Sequence, residues 1–258
     1  MSKPLILISN DDGITSKGIS TLVRLMKQLG EVVVVAPDSP QSAMGHAITI
    51  TKPLRLDKVS IFEDVQAYQC SGTPADCVKL AKNQIFKERR PDLVVSGINH
   101  GSNTSTSVLY SGTMSAAIES ALEGYPAIGF SLCDWGADAD FSHIESHIVQ
   151  IAKEVLNSGI PKGLCLNVNF PPKQHEAIKG VKVCRQANAK WEEEFDERKD
   201  PHGRSYYWMT GNFVNTDKGE DTDEWAINNN YVSIVPTQYD LTAHYAISLL
   251  NSYTNLVG

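Results

Sequence analysis

The feature that most constrains this chain is its first forty residues. Leu5-Ile6-Leu7-Ile8 is an unbroken apolar run that stops at Ser9-Asn10-Asp11-Asp12-Gly13. A run that short, ended by turn formers, reads as a buried strand running into a turn. Ile19, Leu22, Leu25, Met26 and Leu29 then recur at helical spacing, and Gly30 supplies a helix stop. Val32 to Val35 is β-branched throughout and reads as a second buried strand. The order β-α-β implies a parallel pair joined by a right-handed crossover.

The same alternation continues. Ala47 to Leu56 alternates apolar and polar residues, as in a half-exposed strand or hairpin arm. Thr73-Pro74-Ala75-Asp76 combines a cap residue, a proline for the first turn and an early acid, so a helix is expected to about Lys82. Asp92 to Val95 is another buried strand, ending at Ser96-Gly97-Ile98-Asn99. A polar loop to Gly112, a helix over 113–123, a strand over 127–132, a helix from Phe141 to Leu156 and strands over 164–170 and 181–183 follow. From about Ala187 to Asn230 periodicity is lost and charge is dense; only Ser205 to Met209 reads as a strand. Tyr231 to Val235 and a helix-like Thr242 to Leu250 close the chain. The expected fold is α/β, a doubly wound, mainly parallel sheet over 1–187, an extended arm over 188–230, and a strand and helix over 231–258 returning to the core.

Composition bounds what such a fold can do. The chain has 258 residues, which suits one large α/β domain with an appendage. No apolar run approaches the roughly 20 residues needed to cross a bilayer, and the N-terminus lacks the pattern of a signal peptide, so a cytoplasmic protein without a membrane partner is expected. The net charge of −7 argues against a nucleic-acid polymer as partner. Five cysteines with no Cys-x-x-Cys pair read as free thiols in a reducing compartment.

In an open parallel sheet, ligands bind beyond the carboxyl ends of the strands. Three of these ends carry polar loops: Asn10-Asp11-Asp12-Gly13, then Ala36-Pro37-Asp38 with Gln41-Ser42 beyond it, and Ser96-Gly97-Ile98-Asn99. Two adjacent carboxylates repel, and a divalent cation removes that cost. Asp11 and Asp12 with the Ser42 hydroxyl and the Asn99 amide oxygen form an all-oxygen set suited to Mg²⁺, Mn²⁺ or Ca²⁺. Taken alone, Asp-Asp-Gly is equally a strand-to-helix turn with its cap. Ser111-Gly112-Thr113 precedes a helix and reads either as a phosphate cradle or as an ordinary N-cap. Ser71-Gly72-Thr73-Pro74 leans to the cap. His143 and His147 border the apolar face of their helix rather than forming a metal pair, and Trp191 to Glu194 reads as solvated surface.

In combination these segments resemble a known family. Ser9-Asn10-Asp11-Asp12-Gly13, Ala36-Pro37-Asp38, Gly72-Thr73-Pro74, Val95-Ser96-Gly97-Ile98-Asn99, Tyr110-Ser111-Gly112-Thr113 and Asp240-Leu241-Thr242-Ala243-His244 stand in the order seen in the SurE survival-protein nucleotidases. Each motif is weak; the ordered set, spanning essentially the whole chain, is specific. The resemblance implies a Rossmann-like core with a C-terminal extension. It implies a divalent-metal phosphomonoesterase acting on nucleoside 5′- and often 3′-monophosphates, and a dimer or tetramer assembled through the arm. One Mg²⁺ or Mn²⁺ per subunit would be held by Asp11, Asp12, Ser42 and Asn99. Asp11 and Asp12 would also be the catalytic pair, with Ser111, Gly112, Thr113 and Asn103 around the phosphate.

Two departures stand out. Gln41-Ser42-Ala43 replaces the family's usual Arg-Ser-Gly, and His100 replaces a small residue and is expected to face solvent. Haloacid-dehalogenase-type phosphatases also place an Asp after the first strand but use Asp-x-Asp, against adjacent Asp11 and Asp12 here. A non-catalytic nucleotide or metal sensor on the same fold is the alternative of a different class. For hydrolysis, water is favoured as the attacking group over an aspartate, because both carboxylates are assigned to the metal.

Overall fold

A computed structural model describes residues 3–136 and 138–253; residues 1–2, 137 and 254–258, parts of the expected core and closing segment, lie outside it. The strands are β1 (Leu5–Ser9), β2 (Glu31–Pro37), β3 (Leu56–Val59), β4 (Gln66–Cys70), β5 (Leu93–His100), β6 (Ala127–Leu132), β7 (Leu164–Phe170), β8 (Val181–Val183), β9 (Ala189–Lys199), β10 (Ser205–Asn215) and β11 (Val232–Gln238). The helices are α1 (Lys17–Met26), α2 (Pro74–Leu80), α3 (Gly112–Leu122), α4 (Glu145–Ser158), α5 (Asp223–Asn228) and α6 (His244–Asn251).

Nine strands form one sheet in the order β3-β4-β2-β1-β5-β6-β7-β11-β8. Strands β4, β2, β1, β5, β6 and β7 are parallel; β3 and β11 run antiparallel to their neighbours β4 and β7. Successive side chains of a strand point to opposite faces, and β1 shows the consequence. Ile6 and Ile8 join the core beneath α1 and α4, whereas Leu5 and Leu7 join the core beneath α2 and α3. An all-apolar strand is thus what a sheet covered on both faces requires, and the mainly parallel α/β architecture expected from the first forty residues is the one observed.

Local chemistry sets the helix boundaries. Ser16 caps α1 by accepting the Ile19 N–H, and Thr73 and Asp76 form a reciprocal capping box on α2. Gly30 packs where a β-carbon would fall 2.2 Å from the Pro4 carbonyl oxygen, so it serves close approach as well as ending a helix.

Four expectations are corrected. Residues 47–55 form no strand, and the alternation pays out only in β3. The Asp76 carboxylate accepts the Thr49 N–H and the Thr73 hydroxyl donates to the Ala47 carbonyl, so side chains at the cap of α2 replace a strand partner. Within the expected loop 99–112, Ser105–Tyr110 is a 3₁₀ helix. The arm is a full antiparallel hairpin of β9 and β10, with Ser205 opposite Lys199 and Asn215 opposite Ala189, rather than one short strand. It is exposed on both faces, so no buried side imposed an alternation. After the hairpin, α5 packs back on β7 and β11. Helix α6, by contrast, buries no residue and does not return to the core. Among the described residues no helix is long and apolar enough to cross a membrane.

Candidate active site

The chain passes from β1 outward through β2 to β4, then comes back to place β5 on the other side of β1. This reversal opens a crevice between the carboxyl ends of β1 and β5. Asp11 and Asp12 directly follow β1, Asn99 lies near the end of β5, and Ser42 sits on the loop after β2. The register slips between Ser96 and Asn99, a bulge that re-aims the end of β5. Asp11, Asp12, Ser42 and Asn99 all line one cavity of about 730 Å³, together with Asn103 and Ser111.

The two carboxylates and Asn99 are held by neighbouring groups, and the Ser42 loop by its backbone. The Thr113 hydroxyl, in the first turn of α3, donates to Asp11 Oδ1 at 2.5 Å. Gly112 packs on the same carboxylate, where a β-carbon would lie 2.5 Å from the Asp11 Cβ. Burial pushes the Asp11 carboxyl up to about 6; the Thr113 bond opposes the shift and Asp12 adds to it. Asp12 Oδ2 lies 3.2 Å from His100 Nδ1, and the His100 ring meets Phe141 edge-on with centroids 5.3 Å apart. The Asn99 Nδ2 donates to the Gly101 carbonyl at 2.9 Å, so its amide oxygen is the atom left to accept or ligate. The Gln41 N–H donates to the Asp11 carbonyl at 2.7 Å, tying the Ser42 loop to the end of β1.

The donor set suits a hard divalent cation. Two carboxylates, one amide oxygen and one hydroxyl converge, and no Lys or Arg is among the described residues that line the cavity. A buried carboxylate beside a second one, with no cationic side chain to offset them, is the electrostatic deficit that a metal ion relieves. Among the described residues no group of three or more His, Cys, Asp and Glu forms a softer or more acidic alternative. His143 bonds to the carbonyls of Asp140 and Pro171.

The expected phosphate loop divides into two parts. Ser111 and Asn103 line the cavity, but Gly112 and Thr113 stand behind Asp11. Ser111 is also the N-cap of α3, accepting the Met114 N–H at 3.0 Å. Asn103 belongs to a buried amide network from the neighbouring strands. Its N–H donates to Asn169 Oδ1, its Nδ2 to Ser131, and its carbonyl accepts from Asn167.

Sequence reasoning misplaced or missed several residues of the site: Trp191 and Glu193 line the cavity from β9 and are not merely solvated surface. His100 is mostly buried against Asp12 and Phe141 instead of facing solvent, because the bulge turns it inward. Trp135 lines the cavity from the loop after β6. Its position just past the carboxyl end of a core strand was the available signal.

Comparison with known proteins settles the lineage. Residues 6–193 match the family described as Survival protein SurE. The chain belongs to the SurE family. This SurE chain is 68% identical to "5'-nucleotidase SurE" of Cytophaga hutchinsonii, over 97% of each chain, and 61% identical to the protein of that name from Flavobacterium psychrophilum, over 98% of each. The crystal structure of the SurE protein from Aquifex aeolicus superposes with a TM-score of 0.83 at 42% identity, covering 96% of this chain and 98% of that one.

Proposed function

We propose that this SurE chain is a divalent-metal-dependent phosphomonoesterase that hydrolyses nucleoside 5′-monophosphates, and 3′-monophosphates, to nucleoside and phosphate. The 5′-nucleotidase activity rests on relatives of that name aligned over nearly the whole chain. The observation that carries the metal-dependent reading is the convergence of Asp11, Asp12, Ser42 and Asn99 in a cavity lined by no Lys or Arg among its described residues.

In this reading Asp11, Asp12, Ser42 and Asn99 hold one Mg²⁺ or Mn²⁺ per subunit. The ion supplies Lewis-acid polarisation of a phosphoryl oxygen and offsets charge developing there. Thr113 and Gly112 fix the Asp11 carboxylate, and His100 orients Asp12 through its Oδ2. Ser111 and Asn103 present polar groups to the phosphate from the cavity wall, Ser111 from the N-cap of α3 where the helix dipole favours an anion. Asp11 and Asp12 are the catalytic pair in the sense that they set the charge at the reacting phosphorus. Water is the attacking group in this reading, because both carboxylates are assigned to the ion and one Asp11 oxygen already accepts from Thr113.

The enzyme works as a homodimer or homotetramer joined through the hairpin, and its five free thiols suit the cytoplasm. The test of the catalytic reading is phosphate release from 5′-AMP and 3′-AMP, with Mn²⁺ or Mg²⁺ and with excess EDTA. Release with either ion, abolished by the chelator, is expected; undiminished hydrolysis in EDTA would overturn the metal-dependent reading.

A further inference from the structure

We infer that Trp135 is the platform on which the nucleobase of the substrate stacks. This rests on the nucleotidase reading above and extends it to the far part of the same cavity. Trp135 is 73% exposed, unusual for an indole in the wall of a cavity. Its orientation follows from Gly101. A β-carbon added there would fall 2.5–2.6 Å from three consecutive carbons of the six-membered ring, Cε3, Cζ3 and Cη2. Nearly equal distances to neighbouring atoms place the glycine over the face of the ring, not at its edge. One face therefore lies on the backbone of residue 101 while most of the side chain stays open.

The mounting is firm. Gly101 has φ +97°, which other residues rarely adopt, and its N–H donates to the carbonyls of Leu132 at 2.8 Å and Asp134 at 3.0 Å. It follows the proposed metal ligand Asn99 by two residues, so the platform and the metal cluster are set by one short stretch of chain.

The rest of the cavity fits a neutral aromatic ring better than more phosphate. Trp191 and Met209, from the hairpin, add apolar surface, and Trp191 is itself braced edge-on by Phe213 at 6.0 Å. The third acid lining the cavity is Glu193. With no Lys or Arg among the described lining residues, a second phosphate group would meet only like charge, whereas a base can stack and offer amino protons to a carboxylate.

The experiment compares 5′-AMP with ribose 5-phosphate, which carries the same ester and no base, in the full-length chain loaded with Mn²⁺. In Trp135→Ala the ratio of kcat/KM for AMP to that for ribose 5-phosphate is expected to fall about tenfold, mainly through KM for AMP, since stacking on an aromatic side chain is worth about this much. Trp135→Phe, which keeps a ring, should restore most of the ratio. An unchanged ratio would overturn the inference, and so would an equal fall on both substrates, which marks general damage to the site. If the unsubstituted chain releases phosphate from ribose 5-phosphate and AMP at the same kcat/KM, the base is not read at all and the inference fails while the phosphatase reading stands. If it releases none from either, the nucleotidase reading itself fails.

Discussion

Thr113 donates to Asp11 from inside the first turn of α3, which ties the position of a proposed catalytic carboxylate to a helix end. Thr113→Ala leaves that buried carboxylate without its side-chain donor and should cost about 1–3 kcal/mol of stability. It should also lower kcat/KM for AMP, while Thr113→Ser keeps both; thermal melts and phosphate release check this. Asp11→Asn and Asp12→Asn should each reduce kcat about 10²-fold or more in a folded protein, as loss of a central charge stabiliser does. Wild-type turnover in either variant, at saturating Mn²⁺, would remove the pair from the reaction. Ala43 tests a departure from the family pattern. It sits at φ +60°, where the resemblance implies glycine, and left-handed backbone costs an L-residue about 1–2 kcal/mol. Ala43→Gly should therefore raise the melting temperature by about 1–3 °C, part of the gain being offset by the entropy of the unfolded glycine.

At the scale of elements, the hairpin is anchored by polar contacts at its root. Arg185 pairs with Asp217 at 2.5 Å and with Asp221 at 2.9 Å, and Asp217 also accepts the N–H groups of Asn188 and Gly219. The Arg185 guanidinium is the largest cause holding the Asp217 carboxyl well below its ordinary value of 3.8. A lowered folded value means that the contribution is present above pH 3.8 and is lost only as pH falls through the folded value. Hydrogen exchange in β9 and β10 should therefore stay slow down to pH 4 and accelerate only in stronger acid. In Asp217→Asn it should already be fast at pH 6; equal exchange in the two proteins would rule out the clasp. Asp223 links α5 to the site. It is buried, and its carboxylate accepts the N–H of Ser105 at the start of the 3₁₀ helix and of Ala187 at the foot of the hairpin. In the sequence this aspartate is only part of the dense charge of 187–230, because nothing local marks a carboxylate whose partners lie 118 and 36 residues away.

At the scale of the whole molecule, the hairpin and the region of α6 both leave apolar side chains uncovered. On the hairpin, Phe195, Tyr207, Trp208 and Met209 are each more than half exposed, at 62%, 59%, 57% and 68%. On and beside α6, Leu241 and Tyr245 stand at 86% and 89%. Such surface supports the proposed assembly, and closed symmetry makes a dimer the simplest one that covers it. The full chain should sediment as a dimer or larger at micromolar concentration, and a chain with residues 190–214 replaced by a short turn should sediment as a monomer. A monomeric full-length protein would end the assembly proposal and leave the chemistry of Asp11 and Asp12 untouched.

The sequence by itself determined the parts whose information is local. Unbroken apolar runs specified strands covered on both faces, the 3.6-residue spacing specified the helices, and Ser-Gly-Thr and Thr-Pro-Ala-Asp marked two helix starts. The strand ends also pointed to Asp11, Asp12 and Asn99 before any neighbour of theirs was known. The tertiary structure alone decided which strands adjoin, and hence that Ser42 shares a cavity with Asn99. It also decided that Thr113 faces Asp11 rather than the opening, that a bulge turns His100 inward, and that Gly101 lies beneath Trp135. Each of these depends on contacts between residues far apart in the chain, where no periodicity carries a signal. The hairpin was illegible for a related reason: a strand pair with both faces exposed has no buried side to impose alternation, and only backbone pairing, which any sequence can supply, reveals it.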